Sequence, residues 1–107
     1  MELIQYSIIL VNLDPTLGSE IQKTRPCVIV SPNEMNKYLK TIIVCPMTTN
    51  IKEYPTRVPV NQDGKKGMIV IDQIRTIDKS RIIKTFGKLT KTEIKNCKEV
   101  IKETFVD

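Results

Sequence analysis

Leu13-Asp14-Pro15-Thr16-Leu17-Gly18-Ser19-Glu20-Ile21-Gln22-Lys23-Thr24-Arg25-Pro26 separates two apolar runs, Ile8–Leu13 and Cys27–Val30. Both runs are of strand length and rich in β-branched residues. The stretch therefore reads as a long loop between two strands, with Pro and Gly as breakers. For a connector it carries unusual chemistry: a carboxylate at Glu20, an amide at Gln22, cations at Lys23 and Arg25, and hydroxyls at Ser19 and Thr24. Pro26 disfavours the helical region for Arg25 and holds it extended at a strand entrance. A guanidinium fixed there is well suited to meet a phosphate with two parallel hydrogen bonds. Read without further context, the same stretch is equally a solvated polar loop.

Working outward, Tyr6–Leu13 is a first strand and Cys27–Val30 a second, the latter continuous enough to be buried on both faces. Asn33–Tyr38 predicts one or two helical turns, capped by Ser31 or Asn33. Thr41–Cys45 is a third strand, halted by Pro46, and Ile51–Thr56 is a polar connector. Arg57–Val60 is a short strand whose Pro59 indicates a sheet edge. In the turn at 61–67, Asp63-Gly64 and Gly67 are expected to supply positive φ angles. Met68–Ile71 is a buried strand that bends or ends within Asp72–Ile77, and Arg81–Leu89 is a last strand broken by Gly87. Thr90-Lys91-Thr92-Glu93 is a capping box. It opens a helix with Ile94, Cys97, Ile101 and Phe105 on one apolar stripe. Lys95, Lys98 and Lys102 then form its solvated face. Short strands, tight turns and one terminal helix predict a mainly β, strongly bent antiparallel sheet closing toward a barrel.

The chain has 107 residues, which suits one domain spanning 1–107 with a single modest core. It is 40% hydrophobic and 27% charged, too apolar for disorder, and no run is long enough to span a membrane. The first residues lack a basic region and a cleavage site, so a cytoplasmic location is expected. A net charge of +5 without histidine suits a polyanion, and with no basic amphipathic helix nucleic acid is preferred to a membrane. Cys27, Cys45 and Cys97 are widely spaced among apolar neighbours and read as buried thiols. Without His or a Cys-x-x-Cys pair, no metal site is expected.

Four ordered motifs then carry a resemblance. Asp14-Pro15-Thr16-x-Gly18-Ser19-Glu20 with Arg25-Pro26, Cys45-Pro46-Met47-Thr48-Thr49, Asp72-Gln73-Ile74-Arg75-Thr76-Ile77-Asp78 and Gly87-Lys88-Leu89-Thr90 together resemble the MazF/PemK family of toxin endoribonucleases. The resemblance covers nearly the whole chain. It implies the SH3-like barrel of the MazF, Kid and CcdB proteins, a symmetric homodimer, and an antitoxin partner with an acidic disordered tail. It implies sequence-specific, ribosome-independent cleavage of single-stranded mRNA through the ribose 2′-hydroxyl, without metal or cofactor. The residues matching the family's catalytic positions are Arg25 and Thr48, with Glu20 as the loop carboxylate that accepts a proton or orients Arg25. Ser19, Gln22, Lys23, Thr24, Thr49, Asn50, Asp72 and Gln73 fall at the substrate groove. Arg25 either stabilises charge or transfers a proton, and its high pKa favours the first.

Three departures from the family pattern set expectations of their own. Tyr6-Ser7 replaces a Gly-Asp pair, so a different turn into the first strand is expected. Lys23-Thr24 replaces glycines, so the loop should be less free to take positive φ. Val70 stands where the Kid branch has an arginine, which favours an Arg25/Thr48 arrangement over an acid–base pair built on Asp72. Arg75 and Asp78 are expected to pair as a structural salt bridge. Two alternatives stand beside the nuclease: a gyrase-binding poison of the CcdB type, and a nucleic-acid-binding module without catalysis. The second lacks clustered aromatics for stacking.

Overall fold

β1 (Ser7–Asn12) and β2 (Thr24–Ile29) flank the long loop and pair antiparallel, with Ile8 opposite Val28 and Val11 opposite Arg25. They belong to a computed structural model that describes residues 2–21 and 23–106. Gln22, one of the substrate-binding candidates, lies outside the described residues. After β2 come α1 (Asn33–Tyr38), β3 (Thr41–Thr48), β4 (Arg57–Gln62) and β5 (Lys65–Val70). A single 3-10 turn, Ile71–Gln73, leads to β6 (Arg75–Asp78), and another, Lys79–Arg81, to β7 (Ile82–Lys88). α2 (Lys91–Ile101) runs into a wider turn, Lys102–Val106.

The sheet order is β4-β5-β3-β2-β1-β7, with β6 also on β3. This is a curled antiparallel half-barrel with a C-terminal helix. Its central strands bury both faces, which is why their apolar runs are continuous. Ile8, Val28, Cys45 and Met47 face one core, completed by Val58, Val60, Ile69 and Cys97 of α2. The alternate residues Ile9, Val11, Cys27, Ile29, Ile42 and Val44 face a second core with Leu13 and Ile77. The one modest core expected is thus two. α2 begins with the predicted capping box: the Glu93 backbone N–H donates to Thr90 Oγ1 (3.2 Å) and the Thr90 N–H to Glu93 Oε1 (2.9 Å). Pro59 is exposed on the edge strand β4, as expected. No helix among the described residues is long and apolar enough to cross a membrane.

Several expectations are corrected. β3 does not stop at Pro46 but runs through it to Thr48. β6 pairs with β3 only up to Val44 and β5 only from Met47, so on that side of β3 Pro46 sits in the gap between the two partners, while on the other side it stands opposite Cys27 of β2. β2 begins at Thr24, three residues earlier than its apolar run, and β7 passes through Gly87. The hairpin turn needs only Asp63 (φ 50°) and Gly64 (φ 82°). Gly67 lies within β5, and a Cβ there would stand 2.9 Å from the Thr48 carbonyl oxygen. α1 starts after Pro32 without a side-chain cap; the Ser31 hydroxyl instead bonds buried Asn36 and accepts from Ile43 N (3.0 Å). Phe105 lies beyond α2 and is exposed, so the stripe ends at Ile101.

Tyr6 and Lys23 take φ of 69° and 67°, the left-handed region that glycine adopts freely. The chain keeps a glycine-like backbone at both places despite bearing side chains, at roughly 1–2 kcal/mol each. Backbone bonds hold them there: Tyr6 N–H to Ile29 O (2.7 Å), and Lys23 N–H to Asp14 Oδ1 (2.7 Å).

Candidate active site

The loop between β1 and β2 is fastened at its base and its tip. Leu13 N–H donates to Lys23 O (2.9 Å), and Arg75 donates to Leu13 O (3.3 Å). Arg81 donates to the carbonyls of Asn12 and Asp14. Near the tip, Ile21 N–H donates to Gln73 Oε1 (2.7 Å), which ties the loop to the 3-10 turn after β5. Gln73 therefore holds the loop in place, with its Nε2 making only a long 3.5 Å contact to Ser19 O. Arg75 and Asp78 do not form the expected ion pair: Arg75 is spent on Leu13, and Asp78 accepts from Ser80 N (2.8 Å).

The β2–β3 register sets Cys27 opposite Pro46. The pairing ends there, with Arg25 two residues before Cys27 and Thr48 two residues after Pro46 on the neighbouring strands. Arg25 is exposed, and its guanidinium has no hydrogen bond or ion pair with the described residues. Thr48 is half-buried; its Oγ1 accepts from Asn50 N–H (3.1 Å), which leaves the hydroxyl proton free to be donated.

Beside Thr48 lies a groove of about 420 Å³ that brings together Ser19, Thr48, Asn50, Asp72 and Gln73 with Lys52, Tyr54 and Arg57. A smaller cavity of about 240 Å³ shares Asp72 and Gln73 and takes in Glu20 and Arg75. Lys23, Thr24, Arg25 and Thr49 are exposed and line neither. Glu20 does not orient Arg25: its Oε1 accepts from Leu17 N–H (3.2 Å) within its own loop. No cluster of three or more His, Cys, Asp or Glu groups arranged to hold a metal occurs among the described residues.

Sequence reasoning missed Arg57. Its Nε donates to Asp72 Oδ1 (3.1 Å), and the same oxygen accepts from Thr56 Oγ1 (2.8 Å). Burial acts to raise the Asp72 pKa, but the bonds from Thr56 and Arg57 outweigh it, and the carboxyl lies below its ordinary value. The Arg57 guanidinium also lies 5.2 Å from the centre of the Tyr54 ring. Arg57 stands directly opposite Val70 in the β4–β5 hairpin. The arginine absent from position 70 is thus matched by one on the facing strand, a signal that needs the hairpin register to be seen.

Buried thiols are found at all three cysteines. Burial pushes the Cys27 thiol up to about 12 and the Cys97 thiol up to about 11, and raises Cys45 further. None is poised as a nucleophile.

Comparison with known proteins agrees with this architecture. A protein of Staphylococcus saprophyticus named Endoribonuclease MazF is 37% identical over 99 residues, which cover 87% of this chain and 80% of the relative. The crystal structure of MazF from Deinococcus radiodurans superposes with a TM-score of 0.84 at 22% identity, covering 94% of each chain. An endoribonuclease in complex with its cognate antitoxin from a mycobacterial species gives 0.80 at 19% identity, covering 94% of this chain and 91% of that one. At such identities the two structures establish the fold. The family model described as PemK-like, MazF-like toxin of type II toxin-antitoxin system matches residues 4–105, and the chain belongs to that family.

Proposed function

We propose that this protein is a metal-independent endoribonuclease that cuts single-stranded mRNA at specific sequences without the ribosome, as the toxin of a toxin–antitoxin pair. The observation that carries the assignment is that Arg25 and Thr48 lie two residues beyond the Cys27–Pro46 pair on neighbouring strands, with Thr48 beside a polar groove. In this mechanism the substrate's 2′-oxygen attacks the adjacent phosphorus and the bond to the 5′-oxygen breaks. Arg25 neutralises the phosphorane, and the Thr48 hydroxyl donates to a nonbridging oxygen; one such donor is worth about 3–4 kcal/mol in comparable sites. Glu20 is assigned to take the 2′-hydroxyl proton, with solvent protonating the departing 5′-oxygen. Ser19, Gln22, Lys23, Thr24, Thr49, Asn50, Asp72 and Gln73 are assigned to substrate. A gyrase-binding module would have no use for an Arg25–Thr48 pair.

Residues 1–107 act as one domain in this reading, in the cytoplasm and as a homodimer. The cations around Arg25 suit an acidic antitoxin tail that folds on contact and blocks RNA. The test is cleavage of a long RNA in EDTA. Expected products carry a 2′,3′-cyclic phosphate, or its 3′-phosphate, and a 5′-hydroxyl. Arg25→Ala should fold and lose activity, and Arg25→Lys should restore little of it, because an ammonium lacks the planar fork. A folded Arg25→Ala variant cutting at the wild-type rate would overturn the assignment.

A further inference from the structure

Tyr54, Arg57 and Asp72 form a unit that takes no chemical step in the reaction just described, and only Asp72 of the three is assigned to substrate there. The three come from a connector, a strand and a 3-10 turn, yet they interlock at the groove that holds Thr48. Arg57 is the centre: its side chain is only 14% exposed, bonded to Asp72 and set against the Tyr54 ring. An exposed arginine would swing freely, whereas this one holds both neighbours in place.

Each neighbour then has one side that Arg57 does not take. Tyr54 is half-exposed in the groove, so the guanidinium accounts for only part of its ring. Asp72 accepts from the Thr56 and Arg57 side chains on Oδ1 alone, so Oδ2 receives neither of those bonds. A flat aromatic surface beside that carboxylate oxygen suits a nucleobase, which stacks on the ring and offers its edge to the oxygen. An ionised carboxylate only accepts hydrogen bonds. It therefore favours an edge bearing an exocyclic amino group and repels one bearing carbonyl oxygens in that place.

Resting on the endoribonuclease reading, we infer that Tyr54, Arg57 and Asp72 form a base-reading subsite that stacks one nucleotide near the cut and selects an amino-bearing base against uracil. Tyr54 supplies the stacking surface and Asp72 Oδ2 the acceptor. Arg57 is a positioning residue that holds both.

The experiment sequences the cleavage ends made from a random RNA pool by the wild type, Asp72→Asn and Tyr54→Leu. At one position near the cut, wild type should disfavour uridine about tenfold or more, as a hydrogen bond to a charged group allows. Asp72→Asn, which offers a donor as well as an acceptor, should bring that ratio close to one and leave the other positions unchanged. Tyr54→Leu should raise KM without creating a new preference. Each ratio is internal to one preparation, so partial unfolding cannot imitate the result.

A second arm measures wild-type and Asp72→Asn binding to uncleavable 2′-deoxy heptanucleotides, with cytosine or uracil at each position in turn. Cytosine-selective binding that Asp72→Asn removes, in a protein that cuts nothing, would sustain the subsite and overturn the nuclease reading. Cutting whose base preferences are the same in wild type and Asp72→Asn at every position would overturn the subsite and leave the nuclease reading intact.

Discussion

Arg25 and Asp72 show how differently one loop-rich site treats its charges. Arg25 sits exposed at the start of β2 with no partner among the described residues, while Asp72 accepts two hydrogen bonds on one oxygen. A carboxyl whose folded pKa is depressed contributes stability that is fully present above its unfolded value, about 3.9 for Asp, and is lost as pH falls through the folded value. In an NMR titration the Asp72 carboxyl should show a midpoint below that of ordinary aspartate, and Arg57→Leu should move it upward. An unshifted midpoint in the wild type would mean that the pair is not formed in solution. Arg25 was legible because Pro26 follows it and the motif frames it. Arg57 was not, because its partner lies 15 residues away and is met only through the hairpin register.

At the scale of elements, the strands were legible where alternation or continuous apolar character marks burial. What sequence patterns hide is a change of partner. Pro46 reads as a stop, yet β3 hands its edge from β6 to β5 there and continues. Gly67 reads as a turn residue, yet its need is room for the Thr48 carbonyl. The capping box of α2 was readable, but its second duty was not: Glu93 Oε2 accepts from Asn61 N–H of β4 (2.9 Å). Glu93 is buried, so Glu93→Ala would strip an acceptor from two backbone amides and unfasten the helix from the sheet edge. Urea unfolding should show a loss of about 2–3 kcal/mol, against about 1 kcal/mol for Thr90→Ala. Equal losses would show that the tie to β4 contributes nothing.

For the whole molecule, two cores on either side of one curled sheet explain how 107 residues support a long polar loop. The loop's partly buried Ile21 packs on the second core, and Gln73 and Arg81 bond its backbone. The edges β4 and β7 remain open in the single chain, and the proposed homodimer should appear in light scattering at micromolar concentration. A monomer that retains activity would contradict it. The central claim concerns the nucleophile, and one oligonucleotide tests it: an RNA carrying a single 2′-deoxy sugar immediately 5′ of the scissile phosphate. The account predicts binding close to that of the all-ribose RNA, since most contacts go to phosphates and bases, with no cleavage. Cutting of that substrate at the same bond would mean that the 2′-hydroxyl is not the nucleophile.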